Sequence, residues 1–321
     1  MALKKSTVQS KMKSNYRYGN IIKILLVIIA IVSFIFTFFP DSINKWALNF
    51  QPIVNERCLQ PFYKDIPPYL EKASLGVNSY PLCFDGFSMM YSDISKTALW
   101  VAEVLTPHRL RLMISDQPHT SIDAKNTQSS VVSSAFESKH GQYYFWKMAP
   151  IDQTSHVDTI KNSSFTSDML PLVSQAKRNI LLNIEQVIRT IVKEKKVDVY
   201  TITGPAFLDS TLKVMDNNVI VPTAVFKVIY IPKTGVMGAY YVPNDLSLNA
   251  RIVSVCYLEE RLGINIFPQL TAEEKRNTYK LPWTEAEISV DHPIEYLYWD
   301  AESQCAADVS ENDIKKLQKK W

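Results

Sequence analysis

Between Ile21 and Phe39 the chain reads IIKILLVIIAIVSFIFTFF, an apolar run broken only by Lys23, close to its start. As a helix rising ~1.5 Å per residue it reaches ~28 Å, about one hydrocarbon thickness, and Lys23 can snorkel to the interface. Upstream stand Lys4, Lys5, Lys11, Lys13 and Arg17 with no acidic residue. The positive-inside rule therefore puts residues 1–20 in the cytoplasm as a basic tail and everything after Pro40 outside. A cleaved signal peptide is the competing reading. It calls for small residues after the apolar core, and this core ends in Phe38, Phe39, Pro40 and Asp41. The expectation is a single-pass transmembrane helix over 21–39 in a bacterial inner membrane, with a periplasmic C-terminal domain. A mitochondrial inner membrane with the domain in the intermembrane space is the alternative, because a basic, acid-free leader also suits import.

With 321 residues and 46% hydrophobic content, the chain supports an anchor plus a domain with a real core. Lys and Arg number 35 against 32 Asp and Glu, a formal net charge of +3, well short of the basic excess of proteins that live on phosphate backbones. Only 8 glycines occur, and neither GxGxxG nor GxxxxGK[ST] is present, which excludes the usual phosphate-cradling loops. Cys58, Cys83, Cys256 and Cys305 form no CxxC, so zinc and thioredoxin-like readings are weak. Outside the cytoplasm they permit two disulfides in three pairings, with Cys58–Cys83 favoured by proximity. Four free buried thiols are the other reading.

Residues 40–82 hold Pro52, Pro61, Pro67, Pro68 and Pro81 and read as an extended stalk. From Cys83, CFDGFSMMYSDISKTALWVAEVLT predicts two strands joined by a hairpin, and Ser115 to Gln142 is a polar loop. Within Ser167 to Val197, apolar residues at 180, 181, 184, 187, 188, 191 and 192 keep helical spacing, and KEKK closes the segment as the macrodipole prefers. VDVYTITGPAF, NNVIVPTAVFKVIYI and VMGAYYVPN follow as strands, then a short helix near 257–262 and a charged, helix-like tail within a 271–321 extension. Strands, helix, strands predict an α+β domain on an antiparallel sheet over 83–270.

Four of these segments carry a resemblance. KTALWVAEVLT (96–106), TITGPAF (201–207), VPTAVFKVIY (221–230) and YLEERLGINIFPQL (257–270) resemble, in order, segments of the DNA/RNA non-specific endonuclease family, whose core is a ββα-metal motif. The family's Asp-Arg-Gly-His-[LM]-Ala-Pro signature is similar to Tyr144-Phe145-Trp146-Lys147-Met148-Ala149-Pro150, so Met-Ala-Pro is retained and Lys147 stands in the histidine slot. FTSDMLP (165–171) places Asp168 in an asparagine slot. Counting from Pro171, the helix motif Asn-Arg-Gly-x-Trp-x-x-Leu-Glu falls on 177–185, with Arg178 and Glu185 matching and Lys177 in the place of the metal-ligand asparagine.

By this resemblance, histidine is the general base and a single Mg²⁺ stabilises the phosphorane charge. A lysine, with an ordinary pKa of about 10.4, is protonated at neutral pH and is a poor base. An ammonium in place of a neutral oxygen ligand repels a divalent ion. The expectation is therefore a catalytically inactive nuclease-like domain with no cofactor. Lys147, Arg178 and Glu185 occupy the catalytic slots, and Trp146, Lys147, Lys177 and Arg178 are the nucleic-acid-binding candidates. The bland readings are a salt-bridged, vacated site for the charged residues and apolar filling of an abandoned cleft for Trp146 and Phe145.

If the chain is active, Mg²⁺ falls to Asn179 and Asp168, and His140 or His156 supplies the base. Three functions follow: a membrane-anchored module that binds nucleic acid or a protein without cutting, a metal-dependent endonuclease with a rearranged site, and a structural subunit of an envelope-spanning protein complex.

Overall fold

The computed structural model describes residues 56–84, 86–115, 143–149, 167–215 and 218–321. The expected basic tail, the span 21–39, the start of the stalk, nearly all of the polar loop, His140, Pro150 and His156 lie outside the described residues. Among the described residues no helix is long and apolar enough to cross a membrane.

The strands are β1 (Tyr69–Leu70), β2 (Ser79–Phe84), β3 (Phe87–Ser92), β4 (Thr97–Leu105), β5 (Tyr144–Lys147), β6 (Met169–Leu172), β7 (Val199–Ala206), β8 (Ala224–Ile231), β9 (Val236–Pro243), β10 (Arg251–Val253), β11 (Ile264–Asn265), β12 (Asn277–Tyr279) and β13 (Tyr296–Trp299). The helices are α1 (Pro107–Ser115), α2 (Gln175–Lys195), α3 (Val255–Leu262), α4 (Ala272–Arg276) and α5 (Glu311–Gln318), with single helical turns at Glu56–Leu59 and Ala73–Gly76. Seven strands form one sheet in the order β10-β9-β8-β7-β4-β3-β2, every neighbour antiparallel. The predicted α+β architecture on an antiparallel sheet is present.

Both faces of this sheet are covered, which is why β4 and β8 read as near-continuous apolar runs instead of alternating ones. Helix α2 lies on one face through Leu181, Ile184, Ile188 and Ile191, all at most 1% exposed, against Val101, Leu105, Val225 and Ile229. Each such side chain contributes roughly 1.5–3 kcal/mol by leaving water. Ser174 caps the start of α2 by accepting from Lys177 N, and Lys196 ends it in the left-handed region. Helix α3 covers the other face with Trp100, Phe226, Phe267 and Leu258. Gly204 is required where β4 and β8 close around β7: a Cβ there would sit 2.5 Å from Leu99 O and 2.6 Å from the Phe226 ring.

The stalk reading is corrected for residues 56–82. Phe62 is 2% exposed and packs edge-on against Trp100 at 5.7 Å, β1 pairs with β11, and β2 is the edge strand of the main sheet. The prolines break this segment into single turns and sit where no ladder N–H is needed, so their density marks a wrapped segment of the domain. Disulfides join Cys58 to Cys83 and Cys256 to Cys305, the first clamping this segment to β2. The free-thiol reading is thereby corrected. The C-terminal extension is likewise packed: Leu281 enters the core under α2, and Trp321 reaches Phe62 and Trp100.

Candidate functional site

Strands β5 and β6 form a small antiparallel pair in which Lys147 faces Met169 and Tyr144 faces Leu172, and α2 starts just after β6. Because a strand alternates faces, Trp146 and Met148 turn to the core under α2, at 3% and 0% exposure, while the Lys147 side chain keeps 19% exposure. Met148 N donates to Asp168 O at 3.0 Å, and so fixes Lys147 beside the residue that precedes β6. The Lys147 Nζ lies 3.6 Å from Asp168 Oδ1, and the Asp168 side chain is only 2% exposed. Burial pushes the Asp168 carboxyl up to about 6, against the opposing pull of the Lys147 ammonium and a hydrogen bond from the Ala149 backbone.

The first turn of α2 holds the second lysine. Lys177 is 1% exposed, and its Nζ lies 3.4 Å from Asp245 Oδ1, on the turn after β9. The Ser247 hydroxyl and backbone N–H, with Lys177, hold the Asp245 carboxyl below the usual carboxylate range. Asn244 latches that turn down, accepting from Val173 N at 3.0 Å and donating to Pro171 O and Pro222 O at 3.0 and 2.9 Å. Arg178 is part-exposed beside it, and Asn179 is exposed and accepts from Gln175 Nε2 at 3.0 Å.

Glu185, two turns further along α2, meets neither lysine of the signature. Its Oε1 accepts from Lys227 Nζ at 2.7 Å, and the same ammonium lies 3.6 Å from Glu103 Oε2. Glu103, Thr201, Thr203 and Lys227 stand side by side on β4, β7 and β8 as a polar stripe beneath α2, each at most 1% exposed. Burial raises the Glu103 carboxyl to about 7, outweighing the attraction of Lys227, while Glu185 pushes the same way. Among the described residues, both Glu103 oxygens and the hydroxyls of Thr201 and Thr203 have no hydrogen-bond partner.

Lys147, Asp168, Lys177 and Glu185 are thus sorted into two ion pairs, Lys147 with Asp168 and Lys177 with Asp245, and one triad, Lys227 with Glu185 and Glu103. Two calls are corrected. Trp146 offers no ring face to a base, because its slot faces the apolar layer under α2. Lys177 offers no ammonium to a surface phosphate, because α2 begins by turning it inward against Asp245. Glu185 serves the core, and of the cationic candidates only Lys147 and Arg178 keep part of their surface. Asp245 and Glu103 were not singled out from sequence. Glu103 had a signal, a charge in the middle of LWVAEVL, and so did Lys227 in AVFKVIY.

A divalent ion of the Mg²⁺ class needs several converging oxygens. Here Lys177 is paired with Asp245, Asp168 is engaged by Lys147, and Asn179 by Gln175. No group of three or more His, Cys, Asp or Glu able to hold a metal occurs among the described residues. Among the described residues this donor set does not supply the several converging oxygens that such an ion takes.

The sequence profile of the DNA/RNA non-specific endonuclease family matches residues 69–273. Mitochondrial endonuclease G of Homo sapiens is 26% identical over 224 residues, which cover 60% of this chain and 69% of that protein. Nuclease C1 of Cunninghamella echinulata var. echinulata is 25% identical over 214 residues, covering 58% of this chain and 82% of that protein. Among solved structures, a chain from the EndoG/EndoGI complex aligns with a TM-score of 0.47 at 18% identity, over 70% of this chain and 96% of that one.

Proposed function

The chain belongs to the DNA/RNA non-specific endonuclease family, and on that premise we propose that it is a non-cutting member, anchored in a membrane by residues 21–39, whose outward-facing domain acts by binding. One observation carries the reading: Lys147, which the resemblance puts in the base slot, has its Nζ engaged 3.6 Å from a buried carboxylate. A general base must accept a proton from water, and a charged amine held by its counter-ion has no lone pair to offer. At the helix start the ligand slot carries a second buried ammonium, which repels the cation the chemistry requires.

Of the two ligands such a module could take, protein is favoured over nucleic acid. Trp146 and Lys177 are buried, and the formal charge of +3 gives little general attraction to phosphate. Two disulfides support an oxidising compartment, which suits a periplasmic domain or, as the alternative, one in the intermembrane space.

A second reading, a metal-dependent endonuclease with a rearranged site, is favoured by relatives that carry nuclease names. Incubating the full chain with plasmid DNA and RNA across a Mg²⁺ and Mn²⁺ titration separates the two. The non-cutting reading expects no cleavage, and metal-dependent cleavage lost on Lys147→Ala overturns it.

A further inference from the structure

Chain beyond the family match builds one wall of a pocket. The match ends at residue 273, and residues 289–294 are tied to the end of α2 by Lys195, whose Nζ donates to Ser289 O at 2.6 Å and to His292 O at 2.7 Å. The other walls are the end of α2, from Glu194 to Val197, and the turn joining β8 to β9. Together they surround about 360 Å³, near the low end of the range for small-molecule sites. That is room for one ring or a short chain with a head group, and too little for a folded partner. Within the added wall, His292 Nδ1 and Ser289 Oγ bond to each other at 2.9 Å, so the wall is set before a ligand arrives.

Floor and rim differ in chemistry. Val197, Ile231 and Val236 form a buried floor that belongs to the core beneath α2, and Ile294 packs against the same core. An apolar body seated there gains roughly 25 cal/mol for each Å² it removes from water. The rim is exposed and cationic: Lys196 ends α2 in the left-handed region, and Lys233 and Thr234 stand on the hairpin turn. Thr234 Oγ1 accepts from Val236 N at 3.4 Å, which leaves the hydroxyl proton for another acceptor.

Charge decides the head group. The lining holds Lys195, Lys196 and Lys233 against one carboxylate, Glu194, which lies 3.6 Å from Lys193 Nζ. Asp198 and Asp291 are exposed and do not line the pocket. Lys195 is engaged by two carbonyls, whereas among the described residues Lys196 and Lys233 have no hydrogen-bond or ion-pair partner for their ammoniums. The last carbonyls of α2 oppose an anion with about half a negative charge. Two unengaged ammoniums outweigh that, and they repel a cation.

We propose that this pocket is a binding site for a small organic carboxylate, an apolar ring or short chain carrying one anionic head, with the body on the buried floor and the head between Lys196 and Lys233. The site stands apart from the Lys147 and Lys177 ion pairs, and the proposal rests on neither reading of the nuclease-like site.

The test uses the full chain in phosphatidylcholine nanodiscs, with empty nanodiscs as the blank, and follows three probes by fluorine NMR: para-trifluoromethyl-phenylacetate, its neutral amide and the corresponding benzylamine. Saturable line broadening is expected for the carboxylate, several-fold weaker binding for the amide, and none for the amine. Lys196→Asn with Lys233→Gln removes both rim charges, and asparagine tolerates the left-handed backbone at 196. This double variant is expected to weaken the carboxylate about tenfold and leave the amide unchanged, a split that loss of structure would not give. Val290→Trp, at a lining position with 62% of its surface exposed, is expected to fill the pocket and weaken carboxylate and amide alike at an unchanged melting temperature. Absence of saturable carboxylate binding overturns the proposal, as does an amide or amine that binds as tightly. Wild-type affinity for the carboxylate in the folded double variant overturns it too.

Discussion

Lys147 and Asp168 form an ion pair, Nζ to Oδ1 at 3.6 Å, in which the carboxylate is buried and the ammonium keeps a partial outlet to solvent. The two opposite charges compensate one another. Breaking a buried pair from one side leaves an uncompensated charge, whereas replacing both members is often nearly neutral. Lys147→Met is therefore expected to cost about 2–4 kcal/mol at pH 8. Lys147→Met with Asp168→Asn should recover most of that loss in urea denaturation, and equal losses in both variants would show that the pair is not coupled.

The buried carboxyls set a pH dependence. Glu103 is raised to about 7 and Asp168 to about 6, in both cases chiefly by burial. A carboxyl with a higher pKa in the folded than in the unfolded chain binds its proton better when folded. Its contribution is complete below the unfolded value and is lost as pH rises through the folded value. Stability should thus fall between about pH 4 and pH 7.5, by on the order of 3 kcal/mol for each of the two groups. Glu103→Gln, which mimics the neutral form, should flatten that slope when denaturation midpoints are followed against pH.

Lys227 is the cation that makes two carboxylates tolerable beneath α2. Lys227→Met leaves Glu185 and Glu103 facing each other without it and is expected to cost about 3–5 kcal/mol, measured by thermal and urea unfolding. Because Glu185 acts in this core pair, Glu185→Gln should lower stability without selectively altering any binding of ligands at Lys147.

The disulfides close loops with sequence separations of 25 and 49 residues. By chain-entropy reasoning each contributes about 3–4 kcal/mol. Replacing Cys58 and Cys83 with serine should lower the unfolding midpoint markedly and make 56–84 the first segment cut in limited proteolysis, since the packing of Phe62 and Tyr63 and the pairing of β1 and β2 would then hold it without a covalent clamp.

Much of the sheet was legible because its pattern is local. Alternation and β-branched content mark β3, β7, β8 and β9, and the spacing of Leu181, Ile184, Ile188 and Ile191 marks α2. What was missed depends on tertiary context. Proline density in 56–82 looked like a stalk, since nothing in the segment reveals that Phe62 meets Trp100. The YLYW strand at 296–299 is too short to announce itself, and its pairing partner is a three-residue strand. Within the site, slots in a motif identified Lys147, Asp168 and Lys177 as unusual, but motif slots carry no information on burial. That Asp245 would arrive from the turn after β9 to meet Lys177 is a long-range fact, and so is the inward turn of Trp146.

Catalytic silence is the claim on which the rest turns, and a single assay reaches it most directly. The purified full chain, with both disulfides intact, is incubated with supercoiled plasmid and with RNA across a Mg²⁺ or Mn²⁺ titration, beside Lys147→Ala. The account predicts that wild type and variant are indistinguishable from buffer at every metal concentration. Cleavage that rises with metal in the wild type and vanishes in Lys147→Ala would contradict it.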